Sequence, residues 1–173
     1  MKGKKVADSK TIMTELIMPN DTNPLGNLMG GNLMRWMDIA GSICAGRHCE
    51  SHVVTASVDH VSFQHPIKLG NVISINATVT RAFTTSVEIY LEVYASDITG
   101  ANTTKSNHAY MTFVALDSNS LKPKKVPVLL PVSSEEQRLF KSAIRRRELR
   151  LILSGRLKAK DAIDLRAYFD DLD

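Results

Sequence analysis

A run of small and apolar residues at helical spacing, followed by four segments that alternate like strands, restricts this chain more than any other feature. Leu33, Met37, Ala40 and Cys44 recur on one stripe, with Met34, Gly41 and Ala45 beside it. Asn32 suits the cap of that helix, and the pair Gly30–Gly31 suits a tight entry into it. The helix is expected to stop near residues 46–49. Asp38 lies between Met37 and Ile39 in this apolar setting, where a carboxylate requires a partner or a chemical task.

After the helix the period changes from that of a helix to two. Residues 53–63 read as a strand, broken at His65–Pro66. In residues 72–83, Ile73, Ile75, Ala77 and Val79 alternate with Ser74, Asn76, Thr78 and Thr80. After the short connection Thr84–Thr85, Val87, Ile89, Leu91 and Val93 alternate with Ser86, Glu88, Tyr90, Glu92 and Tyr94. Residues 105–116 form the last strand, and residues 11–18, ended by Pro19, an earlier one. Strands in direct succession after one helix imply an antiparallel sheet that covers it. The small residues Ala40, Gly41, Ser42, Ala45 and Gly46 let such a sheet curl closely around the helix. The expected class is α+β, an antiparallel sheet wrapped around a central helix, with a C-terminal helical extension.

The remaining segments frame this domain. Residues 1–9 read as a mobile basic tail, residues 10–131 as the sheet-and-helix domain and residues 132–173 as the extension. Residues 19–27 carry turn chemistry, with Asn and Asp residues between two prolines. Residues 122–131 form a basic linker with three prolines. Ser133 and Glu136 have the spacing of a capping box, opening a helix that ends near Gly155; residues 161–172 suit a further short helix.

With 173 residues, 43% hydrophobic and 23% charged, the chain has the make-up of a globular domain. No apolar run approaches the length that spans a bilayer, and no signal-peptide segment follows the basic start. Cys44 and Cys49 are poorly spaced for a bridge, so a reduced, cytoplasmic setting is expected. The net charge of +4 reads first as a solvated surface and second as attraction for an anionic ligand such as a phosphorylated cofactor. Nucleic acid is not expected, because Tyr90 and Tyr94 stand beside Glu88 and Glu92 in place of an exposed aromatic platform. His48 and Cys49 lack a second ligand pair, so no metal is expected, and Cys44 reads as packing. Asp59 and His60 alternate onto opposite faces, which disfavours an acid–base dyad.

The stretches Asn20-Asp-Thr-Asn-Pro-Leu-Gly-Asn-Leu-Met-Gly-Gly, Met34-Arg-Trp-Met-Asp-Ile-Ala-Gly and Arg47-His-Cys resemble the acyl-CoA thioesterases of the hotdog superfamily, the brain-type acyl-CoA hydrolase group. Val54-Thr-Ala-Ser-Val-Asp-His-Val-Ser-Phe, Pro66-Ile-Lys-Leu-Gly and Thr84-Thr-Ser-Val-Glu extend the resemblance in order across roughly residues 11–131. Asn71 departs from the family's usual Asp. The resemblance implies a hotdog fold and hydrolysis of fatty acyl-CoA, with coenzyme A as part of substrate and product and no separate cofactor. It implies a site shared across a homodimer, assembled as a trimer of dimers, in which Asp38 of one subunit meets Asn23 of the other.

The chemistry of these residues agrees with that implication. Asp38 suits a general base or a nucleophile, and the sequence leaves both open. Asn23 suits orienting the water or bonding the carbonyl oxygen. The N–H groups of Gly30, Gly31 and Asn32 suit an oxyanion. For coenzyme A, the expected contacts are Arg81, Thr84, Thr85 and Ser86, with His60 lining the cleft. A non-catalytic acyl-CoA-binding protein and a hotdog dehydratase are the rival readings. The first is opposed by the presence of both Asp38 and Asn23, the second by the lack of a histidine-based pair in register.

Overall fold

The computed structural model describes residues 2–170, with His60 described by its backbone alone. Residues up to Leu130 form one compact unit and those from Pro131 a second.

In the first unit, β1 (Lys4–Lys5) precedes β2 (Thr11–Leu16) and the long helix α1 (Gly30–Cys49). Four strands follow: β3 (His52–Phe63), β4 (Val72–Ala82), β5 (Ser86–Ser96) and β6 (Thr104–Leu116). A short β7 (Leu129–Leu130) closes the unit. The main sheet has the order β2-β4-β5-β6-β3, antiparallel throughout, so β2 and β3 are its edges. The helix α1 touches all five strands. This is the hotdog arrangement that the sequence pattern implies.

The core lies where the sheet's inner residues meet α1. Ile73, Ile75, Ala77, Ile89, Leu91, Met111 and Phe113 are all buried, opposite Leu33, Met37, Ala40 and Cys44. Gly41 explains how closely the layers approach. A Cβ there would stand 2.8 Å from the Phe113 ring, nearer than packed carbons tolerate. Burial pushes the thiol of Cys44 up to about 12 and that of Cys49 up to about 11, so both remain protonated packing groups.

Several expectations need revising. Lys4–Lys5 pair in parallel with Leu129–Leu130, and the turn Val6–Asp8 behind them buries Val6, where a free basic tail was expected. Helix α1 starts at Gly30 with Met29 as its N-cap, so Asn32 lies inside the first turn instead of capping it. Neither Gly30 nor Gly31 has positive φ, so their value is not conformational freedom. Glu88, on the outward alternation of β5, is completely buried; Thr80 Oγ1 donates to its Oε1 at 2.6 Å.

The second unit holds α2 (Ser134–Leu153) and α3 (Ile163–Asp170). The capping box is formed: Glu136 N donates to Ser133 Oγ and Ser133 N to Glu136 Oε2, each at 3.1 Å. Glu148 of α2 accepts the Leu165 N–H of α3 at 2.7 Å, and the Arg145 guanidinium lies 4.1 Å from the Tyr168 ring centroid. The end of the expected second helix, Leu172, lies outside the described residues.

Candidate active site

The loop before α1 is built around one asparagine. Asn23 Oδ1 accepts the N–H groups of Leu25 at 3.0 Å and Asn27 at 3.2 Å, closing an Asx-type turn. Gly26, at φ +72°, allows the chain to double back so that Asn23 N reaches Asn27 O at 2.8 Å. With its oxygen committed to the turn, Asn23 keeps the NH2 half of its amide as the group to offer outside it. The loop is docked on the next segment by Leu28 N to Ile67 O and Leu69 N to Gly26 O. Asp21 joins it to α1, its carbonyl accepting Met29 N at 2.9 Å. Asn23 and the start of α1 therefore belong to one rigid feature.

At that start, the N–H groups of Gly30 and Gly31 have no preceding turn to accept them, and both residues are exposed. Asn32 differs. Its N–H donates to Met29 O at 3.0 Å, which removes it from the set of available donors, and its side chain lies 3.5 Å from Asp21 Oδ1.

Two turns further on, Asp38 is half-buried and accepts a hydrogen bond from Thr55 Oγ1 at 2.5 Å. Thr55 lies on the edge strand β3, opposite the inward-facing Phe113 of β6, so it faces the helix. The sequence reading missed Thr55. Nothing in the alternation of β3 separates it from Ser57 or Ser62; only the crossing of β3 over α1 singles it out. One end of the bond is a strong acceptor and the other a short, stiff side chain, so the carboxylate is held in a fixed direction.

Among the described residues, Asn23 and Asp38 are not joined by a hydrogen bond. Eight residues at 1.5 Å each separate Gly30 from Asp38 by about 12 Å along the axis. A single small group cannot be within reach of both ends of that stretch.

The expected coenzyme A contacts lie elsewhere on the sheet. Arg81, at the end of β4, pairs in register with Glu88, and its guanidinium lies 5.9 Å from the Phe83 ring centroid. The connection Thr84–Ser86 is tied down by its backbone: Thr85 O accepts Ala115 N, Ser86 O accepts Phe83 N and Thr84 O accepts Val126 N. Among the described residues, Thr84, Thr85 and Ser86 make no hydrogen bond to Asp38. The side chain of His60 lies outside the described residues.

His48, at the end of α1, is fully buried and lies 3.0 Å through Nε2 from Pro127 O. Its Nδ1 has no partner among the described residues, and burial lowers its basicity. This is a structural grip on the segment leading to β7.

Comparison with known proteins identifies the architecture. Residues 25–101 match the model of the Thioesterase superfamily. The chain is 37% identical to the uncharacterized acyl-CoA thioester hydrolase YkhA of Bacillus subtilis, covering 80% of each. An acyl-CoA thioesterase solved as an apo-hexamer superposes with a TM-score of 0.85 at 35% identity, over 89% of this chain and 98% of that one. An acyl-CoA hydrolase from Staphylococcus aureus, solved with butyryl coenzyme A, coenzyme A and coenzyme A disulfide, superposes with a TM-score of 0.81 at 34% identity, over 95% and 98%. That hydrolase has also been solved with an aspartate, a threonine or an asparagine replaced by alanine. By the sheet wrapped on its helix and by these likenesses, this chain belongs to the acyl-CoA thioester hydrolases of the thioesterase superfamily.

Proposed function

We propose that the protein hydrolyses fatty acyl-CoA thioesters at a site assembled from two copies of the chain. Asn23 and the N–H groups of Gly30 and Gly31 come from one copy, and Asp38, held by Thr55, from the other. The observation that carries this reading is the Thr55–Asp38 hydrogen bond, set about 12 Å along the helix from the free N–H groups. Two antiparallel copies facing across this seam bring one copy's donors opposite the other's carboxylate. The Staphylococcus aureus variants support it, because their replaced asparagine, aspartate and threonine follow one another at the intervals of Asn23, Asp38 and Thr55.

The chemistry then runs as acyl transfer to water. The thioester oxygen, which gains negative charge as the carbonyl carbon is attacked, is met by the Gly30 and Gly31 N–H groups at a helix N-terminus. With Oδ1 engaged by Thr55, Asp38 has Oδ2 to act with. As a base it takes a proton from water while the oxygen bonds to the acyl carbon. As a nucleophile it forms a mixed anhydride that water opens. In both routes the carbon–sulfur bond breaks and the coenzyme A thiolate leaves, taking up a proton. The Asn23 amide orients the water or the carbonyl. Arg81 and the connection Thr84–Ser86 are the proposed contacts for coenzyme A phosphates, with His60 beside the cleft. The proposed assembly is a homodimer, repeated as a trimer of dimers like the hexameric relatives.

Release of free thiol from acyl-CoA tests the reading. Asp38→Ala is expected to reduce kcat about a hundredfold to ten-thousandfold. Asn23→Ala and Asp38→Ala subunits, each impaired alone, are expected to recover activity when mixed and exchanged. Undiminished turnover by Asp38→Ala overturns the assignment, and no recovery after demonstrated exchange overturns the shared site.

A further inference from the structure

In the second unit, α2 ends in a fixed turn. Gly155, at φ +70°, closes the helix, with Gly155 N donating to Ile152 O at 2.9 Å and Arg156 N to Leu151 O at 2.8 Å. This pair of bonds is the Schellman arrangement, which favours glycine at the left-handed position. Leu157 N also reaches Leu151 O, at 3.1 Å, so the chain folds back on the last turn of α2. The bond from Leu165 N to Glu148 anchors α3 beside the same end of α2, and Arg166 Nη1 donates to Lys160 O at 3.2 Å. The connection between the two helices is therefore a braced tip.

That tip carries aliphatic side chains among cations. Leu153, the last residue of α2, is 79% exposed, and Ile163, the first of α3, is 76% exposed. Leu149, one turn before Leu153, is exposed as well. Side chains so open contribute little to the packing of their own unit. Between Leu153 and Ile163 the chain carries Arg156, Lys158 and Lys160 against one carboxylate, Asp161, and all four are exposed. Aliphatic groups flanked by exposed cations have the make-up of a surface that enters the boundary of a bilayer. A second copy meeting this tip about a two-fold axis would bring like charges together, which disfavours that occupant. Anionic headgroups instead neutralise the cations while the aliphatic side chains pass below them.

We propose that the tip joining α2 and α3 docks on the surface of a bilayer that contains anionic phospholipid. Among the described residues no helix is long and apolar enough to cross a membrane, so the contact is interfacial. Its chemical sense rests on the hydrolase reading above. A fatty acyl-CoA and the fatty acid released from it are both amphiphiles that gather at bilayers, and an enzyme docked there meets its substrate where it collects. In the proposed hexamer, several tips on one surface would add their separate weak contacts.

Sedimentation of the full chain with vesicles tests the proposal, using phosphatidylcholine alone or mixed with phosphatidylglycerol. The protein is expected to bind the mixed vesicles at least about tenfold more tightly, and to lose that preference at high salt. Lys158→Gln and Lys160→Gln are each expected to weaken binding to the mixed vesicles about fivefold. Leu153→Ser combined with Ile163→Ser is expected to weaken it at least about tenfold. No binding to the mixed vesicles, equal binding to the two kinds, or unchanged binding by these variants overturns the proposal. So does a smaller oligomer of the serine pair in the absence of lipid, which assigns the tip to a second copy. Free-thiol release from acyl-CoA by the unaltered protein is measured in parallel. Vesicle binding without thiol release refutes hydrolysis and leaves the bilayer contact standing, whereas thiol release without vesicle binding does the reverse.

Discussion

Thr55 and Glu88 show what individual side chains hide from a sequence. Asp38 and Asn23 stand out in the chain, the first as a carboxylate in an apolar helix, the second within a dense turn. Thr55 is one hydroxyl residue among several on β3, and its meaning arises only because the strand passes over Asp38. Glu88 misleads more strongly, since period-two alternation places it with the half-buried Ser86, Tyr90, Glu92 and Tyr94 while the fold buries it entirely. A buried carboxylate depends on its donors, and the Thr80 hydroxyl at 2.6 Å is one of them. Thr80→Val, which preserves shape and deletes the donor, is expected to destabilise the protein by about 1–3 kcal/mol in urea titration. A change below about 0.5 kcal/mol refutes that role.

Whole elements were far more legible. The alternation in β4, β5 and β6 and the helical spacing of Leu33, Met37, Ala40 and Cys44 repeat often enough to set period and face despite local exceptions. The start of α1 was less legible, because Met29 is not a favoured cap and the bonds that the Met18 and Met29 N–H groups donate to Asp21 hold the entry in its place. The pairing of β1 with β7 joins residues 4 and 129, a separation no local pattern reports. The small-residue face of α1 was visible, and the structure gives it a measure at Gly41. Gly41→Ala improves helix propensity yet forces a methyl toward the Phe113 ring. Overpacking prevails, so a net loss of about 1–3 kcal/mol is expected in thermal or urea unfolding. Pairing it with Phe113→Leu is expected to recover part of that loss, and a stabilised single variant refutes the close-contact argument.

For the molecule as a whole, the grip of His48 on Pro127 ties global stability to pH. Burial holds the imidazole of the folded protein below its ordinary basicity and outweighs the Pro127 carbonyl, which favours its charge, as do Asp8 and Glu50, while Lys4 opposes it. The unfolded chain therefore binds a proton that the folded one refuses. This contribution is fully present above about pH 6.5 and is lost as the pH falls from there toward the folded-state value. The urea midpoint is expected to drop between pH 7.5 and pH 5.5, by less in His48→Gln. An identical drop in that variant assigns the effect to other groups. A second consequence follows from the free margin of β3, where Val54 and Val58 lie about half uncovered beside Thr55. A bare strand border of this kind is a template for pairing, and catalysis proposed to need two chains inherits the mass-action law of that encounter. Turnover per molecule should then fade on dilution, so that abundance in solution becomes a throttle on the reaction without any effector.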